Sequence, residues 1–233
     1  YTVVRQASAH AAHPQADVCT DSGCCQAYVE RQAAETRGGI SAGTYSAKIS
    51  QAVADTDGLG ILYQGAPIQA VFFSSAPGQT ADAVAVWGSQ VDYLKSVSSP
   101  ERDEVPNYRS QVVLTAEEVR SRVLAAYPGA DLSGDPSGWF GTPASSGGAV
   151  TSIPVGGVTL TGSQVRTLFS LRSAAFTVAW DGTSFTFSVT GYGHGVGMSQ
   201  YGANAMAKEG SSFRDILTWY YTGAQVDDLW AES

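Results

Sequence analysis

At 233 residues, with 43% apolar and 15% charged side chains, the chain can bury a substantial core and is too apolar for wholesale disorder. Its formal net charge of −8, with only 13 Lys and Arg, argues against nucleic acid, whose phosphates need clustered cations, and fits a neutral or polar ligand such as a sugar chain. No apolar run is long enough to span a bilayer, and no signal peptide is evident.

YTVVRQASA opens without a start Met, a cap or a turn, as if within a helix, so residue 1 reads as a processing boundary; Pro14 keeps that helix from running far. A cysteine-rich loop follows, then a loop-like stretch to about Thr44. Ile49 and Val53, four residues apart, predict a helix over 46–57 that Gly58 stops. Ile61 to Ser75, ILYQGAPIQAVFFSS, reads as two β-rich runs folded around Gln64-Gly65. In QVVLTAEEVRSRVLAAYPG a short strand leads into a helix: Thr115 and Glu118 form a capping box, Val119, Val123 and Tyr127 an apolar stripe, and Pro128-Gly129 the stop. Residues 129–149, rich in Gly, Ser and Pro, read as a lobe boundary or a long surface loop.

Beyond them, VTSIPVGGVTLTG predicts paired strands, and Thr161 with Gln164 makes a second capping box. AFTVAWDGTSFTFSV alternates apolar and polar residues on both sides of Asp181-Gly182, the strongest hairpin signal in the chain. Two helices close the sequence, in MSQYGANAMAKEG and in SSFRDILTWYYTG, the second with Ser212 and Asp215 as a capping pair and Gly223 as its stop. Hairpins dominate the strand connections, which predicts an α+β fold of mixed hairpin-rich sheets with peripheral helices, not a doubly wound parallel sheet.

Three segments carry candidate chemistry. Gly191 to Gly210, GYGHGVGMSQYGANAMAKEG, surrounds His194 with glycines between a strand and a helix. A phosphate-cradling loop is rejected: no window satisfies the G-x-G-x-x-G spacing and no Walker lysine follows. Two readings stay open, a tight turn with a core-facing histidine, and a site in which His194, Ser199, Gln200 and Tyr201 stand beside glycines that admit a close ligand or backbone. Ser74, Ser75, Gly78 and Thr80 read, on composition alone, as a polar turn after an apolar strand. His13, Cys19, Cys24 and Cys25 offer four ligands for a tetrahedral, structural Zn²⁺; the alternative is a Cys19–Cys25 disulfide with Cys24 free. A zinc hydrolase would need an open coordination position, which these four ligands do not leave. Trp87, Tyr192 and Tyr201 could stack on sugar faces, though most aromatics of a chain are simply core.

GHGVGMSQYGA followed by a helix and then YYTG resembles the C-terminal signature of the stage II sporulation protein D family, which includes the amidase-enhancer proteins. Three further segments agree in order: AVADTDGLGILYQGAPIQAVFFSSAPGQTADAVAVWG resembles that family's hairpin, serine stretch and Trp-Gly; DVCTDSGCCQAY its cysteine loop; LTGSQVRTLFSLRSAAF its inserted lobe. The resemblance implies one catalytic domain over 1–233 lacking its N-terminal helix, a smaller lobe inserted over about 109–174, and a sugar-binding cleft between lobes. It implies that Ser74, Ser75, Thr80, His194, Ser199, Gln200 and Tyr201 face the substrate, and that a zinc site like that of His13, Cys19, Cys24 and Cys25 fixes a loop beside the cleft. The family has histidine at the position of Cys24, and a Glu where Ala81-Asp82 follows Thr80.

The activity so implied is lytic transglycosylation of peptidoglycan between N-acetylmuramic acid and N-acetylglucosamine, giving a 1,6-anhydro sugar, in wall remodelling during engulfment of the forespore. The substrate is expected to be glycan strands stripped of stem peptides, the partner a wall amidase, and the location extracytoplasmic, anchored or secreted at the wall or septum. In the family the catalytic glutamate sits on a helix just before an Arg-Thr-Tyr stretch. Tyr1 matches that tyrosine, so the acid is expected upstream of it, no catalytic residue is assigned within the chain, and the chain alone is expected to be inactive. The alternative function is a non-catalytic wall-binding or amidase-activating module.

Overall fold

The computed structural model describes residues 14–16, 19–21, 28–38 and 42–229. Two compact units are present, residues 1–69 with 224–233, and residues 70–223. Both hold helices; among the described residues the first has one three-stranded antiparallel sheet and the second three small sheets, mixed as the α+β expectation has it.

In the first unit, α1 (Arg31–Gly38) precedes α2 (Ala42–Asp55). The stretch expected to be loop up to Thr44 therefore holds a helix. Its sequence, RQAAETRG, has no apolar stripe to betray it, but it is made of good helix formers and carries an Arg31–Glu35 pair at 2.9 Å across one turn. Strands β1 (Leu59–Tyr63) and β2 (Ala66–Pro67) form a hairpin through Gln64 and Gly65, both at positive φ as a two-residue primed turn requires. The strand Gln225–Asp228 pairs with the other edge of β1. The second arm is shorter than its apolar run suggested, ending soon after Pro67, with Ile68 N–H bonded to Ile61 O at 3.0 Å.

The second unit begins with β3 (Phe72–Phe73) and α3 (Ala83–Trp87). Next come β4 (Arg109–Thr115), α4 (Ala116–Ala126), β5 (Ala144–Ser146), β6 (Ala149–Val155), β7 (Val158–Thr161) and α5 (Gly162–Phe169). It finishes with β8 (Phe176–Trp180), β9 (Ser184–Thr190), β10 (Met198–Ser199), α6 (Gln200–Lys208) and α7 (Phe213–Tyr220). All three expected capping boxes form, at Thr115/Glu118, Thr161/Gln164 and Ser212/Asp215. The Asp181-Gly182 hairpin joins β8 to β9, and β4 pairs along the other edge of β9.

The core lies between the β4–β9–β8 sheet, the β5–β6–β7 sheet and helices α4 and α5. Phe187 from β9 sits 4.7 Å from Phe169 of α5, ring centre to ring centre, and Val119, Val123, Ile153, Val155 and Val165 are fully buried around them. Each such side chain contributes roughly 1.5–3 kcal/mol. The Gly/Ser/Pro stretch at 129–149 is pinned to this core, because Trp139 is buried, packs 5.7 Å from Phe185 and donates its indole N–H to Gly134 O. For function the relevant consequence is at the end of the sheet: Arg109 opposes Thr190, so the chain before β4 and the chain after β9 emerge side by side, with Gly191 N–H bonded to Tyr108 O at 2.8 Å.

Candidate functional site

The glycine-rich turn and the serine segment, far apart in sequence, are stitched together by backbone. Tyr192 and Ser75 exchange hydrogen bonds of 2.9 and 3.1 Å, and Ala81 N–H donates to Gly195 O at 2.7 Å. Met198 N–H reaches Val71 O at 3.1 Å and Tyr201 N–H reaches Ser74 O at 3.0 Å, while β3 and β10 pair in parallel. The glycines are what permit this. A Cβ at Gly191 would lie 2.5 Å from Ser75 O, and one at Gly193 would lie 2.6 Å from Phe73 Cβ, with both residues at positive φ. The glycine density thus serves a close backbone approach.

His194 is the pin of this joint. Its Nε2 lies 3.0 Å from Phe72 O and its Nδ1 accepts from Val196 N–H at 3.1 Å, so the ring is neutral with its proton on Nε2. Phe73 and Trp87 pack on it at 5.6 and 5.8 Å between ring centres. Burial pushes its pKa below the ordinary 6.5, with the positive charge of Arg166 acting the same way and the bond to Phe72 O opposing it. A second proton would also set Nδ1–H against Val196 N–H. Above pH 6.5 the ring is neutral whether the chain is folded or not; below it the unfolded chain binds the proton first, so stability is lost as pH falls from 6.5 to the lowered value. The His194 ring proton resonances are expected to titrate with a midpoint below 6.5, and His194→Asn should remove this part of the acid sensitivity. A midpoint at or above 6.5 would contradict the geometry.

The other expected site residues divide into two groups. Ser75, Thr80 and Ser199 are buried. The Thr80 hydroxyl is engaged by the backbone, accepting from Val97 N–H at 2.9 Å and lying 3.3 Å from Lys95 O. Ser199 caps α6 by accepting from Gly202 N–H at 3.2 Å. These three hold the joint from behind. Ser74 and Tyr201 are half-buried and Gln200 is exposed. Three rings of these segments are open to solvent, Phe72, Trp87 and Tyr192, at 42, 42 and 44% exposed, and Trp87 packs against His194. Asp82 is taken up in capping α3, through Val84 N–H at 3.2 Å.

Sequence reasoning passed over Glu101, which is completely buried. Its Oε1 accepts from Ala76 N–H at 2.6 Å and from the Ser199 hydroxyl, tying the serine segment to the start of α6. Its Oε2 has no hydrogen-bond partner among the described residues and lies toward Gly202, near the Ser99–Tyr220 hydroxyl pair, which are 2.6 Å apart. Burial pushes the Tyr220 phenol up to about 12, so it keeps its proton. Tyr108 closes the cluster by donating to Ala76 O at 2.9 Å. The only local signal was an acid directly after Ser-Ser-Pro, and the charged Arg102-Asp103-Glu104 beside it disguises that as a solvated turn.

Of the expected zinc ligands, His13, Cys24 and Cys25 lie outside the described residues; Cys19 is half-buried.

No family model matches the chain. It is 38% identical to stage II sporulation protein D of Bacillus subtilis over 215 residues, 92% of this chain and 61% of that protein. Against stage II sporulation protein D of Bacillus amyloliquefaciens it is 38% identical over 78% of this chain and 51% of the relative. An amidase enhancer of Bacillus subtilis is 26% identical over 78% of this chain and 33% of its own length. The chain thus spans between half and two thirds of the sporulation proteins it matches. Nearly all of the chain is aligned in the first of these matches, and the residues that build the joint lie within the segments that resemble that family: the chain is a homologue of stage II sporulation protein D over most of its length, and the amidase enhancer is also related.

Proposed function

We propose that the joint of the serine segment and the glycine turn is one wall of a groove that binds peptidoglycan glycan strands, and that the protein acts on them as a lytic transglycosylase. The observation that carries this reading is that the backbone-bonded serine segment and glycine turn present exposed Tyr192 and Gln200 with half-buried Ser74 and Tyr201, and that exposed Trp87 packs 5.8 Å from the His194 ring of that turn. Flat apolar faces with polar groups between them suit a polymer of amino sugars, whose rings present C–H faces and hydroxyl edges. Both His194 nitrogens are engaged by backbone, so in this reading the histidine positions the turn and offers a ligand only its ring.

Lytic cleavage needs a carboxylic acid that protonates the glycosidic oxygen as the anomeric C–O bond breaks. As carboxylate it then takes the proton of the muramic C6 hydroxyl, which closes onto the anomeric carbon to give the 1,6-anhydro ring. Asp82, which caps a helix, and Glu101, which is fully buried, are not placed for this, and neither is assigned the role. Denuded strands incubated with the chain extended by the family's glutamate helix are expected to yield anhydro-muramic ends, and with the chain alone none. Products with ordinary reducing ends would point to hydrolysis and overturn the proposal.

The relationship to an amidase enhancer favours one second reading, a wall-binding module that activates a wall amidase without cutting glycan itself. Binding of strands with stimulation of an added amidase, and with no glycan product, would select it.

A further inference from the structure

Arg172 lies between α5 and β8, at the border of the joint. Its carbonyl accepts from Gly193 N–H at 3.0 Å, and Ser173 forms a parallel bridge with Gly193, so its backbone is fixed against the glycine turn. Its guanidinium carbon stands 4.1 Å from the centre of the exposed Tyr192 ring. Tyr192 in turn is bonded through both its N–H and its C=O to Ser75. The Arg172 Nε is buried, yet it has no hydrogen-bond partner among the described residues, and the side chain makes no ion pair with any of them.

A guanidinium is charged at every relevant pH and brings a planar fork of five N–H donors. A cation–π contact alone is worth less than a buried charged donor loses when left unpaired. An arginine held in this state beside a sugar-binding face has the chemistry of a waiting carboxylate receptor. Resting on the glycan-binding reading above, we propose that Arg172 determines specificity by binding the lactyl carboxylate of muramic acid, the substituent that distinguishes this sugar from N-acetylglucosamine. That carboxylate is free only where the stem peptide has been removed; in peptide-bearing strands it is an amide and the free carboxylates sit further out on the peptide. Arg172 would thereby make the site prefer stripped strands.

Calorimetric titration of the chain with three ligands of matched length tests this: chitin oligomers, stripped muramic-acid-containing oligomers and peptide-bearing ones. Stripped oligomers are expected to bind about tenfold more tightly than the other two at low salt, with the gap narrowing as salt is raised. Arg172→Gln should erase the gap between stripped oligomers and chitin, and Arg172→Lys should restore part of it. Equal affinity of the unmodified chain for chitin and stripped strands would overturn the proposal while leaving glycan binding intact, and this comparison decides even if the variants fail to fold. Peptide-bearing strands binding as tightly as stripped ones would move the recognised carboxylate to the stem peptide and overturn the lactyl assignment. A gap that persists in Arg172→Gln would also overturn it, and failure to bind any of the three would sink the glycan reading itself.

Discussion

Gly202→Ala is expected to destabilise residues 70–223 severely, although it replaces glycine by the best helix former inside a helix. Helix propensity alone would favour the change by about 1 kcal/mol. Against that, the added methyl would enter a fully buried space already held by the Tyr220 and Ser99 hydroxyls and would stand 2.6 Å from Glu101 Oε2. Overpacking of a filled site costs typically 1–3 kcal/mol, and separating the buried Ser99–Tyr220 hydroxyl pair adds about 1–3 kcal/mol for a stranded polar group. The unfavourable terms win, for a net loss of roughly 2–4 kcal/mol, read as a drop in Tm or in denaturant midpoint. Unchanged or raised stability would show that α6 can slide away from the cluster.

The second large effect is expected at Glu101. Glu101→Ala strands the buried Ala76 N–H, leaves the Ser199 hydroxyl to donate to Ser74 O over a longer 3.4 Å, and opens a void where the carboxylate was. One unpaired group at about 1–3 kcal/mol, a weakened hydroxyl bond and the cavity put the loss at roughly 3 kcal/mol, or on the order of 10 °C in Tm. Glu101→Gln keeps an acceptor for both donors and places its NH₂ where the unpartnered Oε2 now lies, near the Ser99 and Tyr220 oxygens, so it should cost far less. If glutamine is as damaging as alanine, Glu101 acts through its charge and not as a neutral acceptor could. Because the carboxylate joins the serine segment to the head of α6, the alanine variant should lose glycan binding along with stability.

Local signals were the legible part of this chain. The three capping pairs, the hairpin at Gln64-Gly65 and the Asp181-Gly182 hairpin each rest on residues a few positions apart, and each formed as read. Long-range pairing was not legible in that way. Phe72–Phe73 was expected to continue a hairpin, yet it pairs with Met198–Ser199, a partner that no local pattern specifies. Helix α1 escaped because a polar helix has no hydrophobic period to detect. Glu101 escaped because charged neighbours hide a residue buried only by segments distant in sequence.

The candidate site was legible through family resemblance more than through composition. On residues alone, the serine segment read as an ordinary polar turn; the resemblance assigned it to the same place as the glycine turn, and the backbone bonds between Ser75 and Tyr192 put it there. Residue type did not reveal direction. Thr80 and Ser199 offer hydroxyls fit for a sugar, but both are buried and engaged within the protein, whereas Phe72, which looks like core, is open to solvent.

The most direct test is a titration of the isotope-labelled chain with stripped glycan oligomers, followed by amide and side-chain NMR. Glycan binding at the joint requires the largest shifts to fall together on Phe72, Ser74, Trp87, Tyr192 and Tyr201. Shifts gathered elsewhere, or none at saturating glycan, would contradict it.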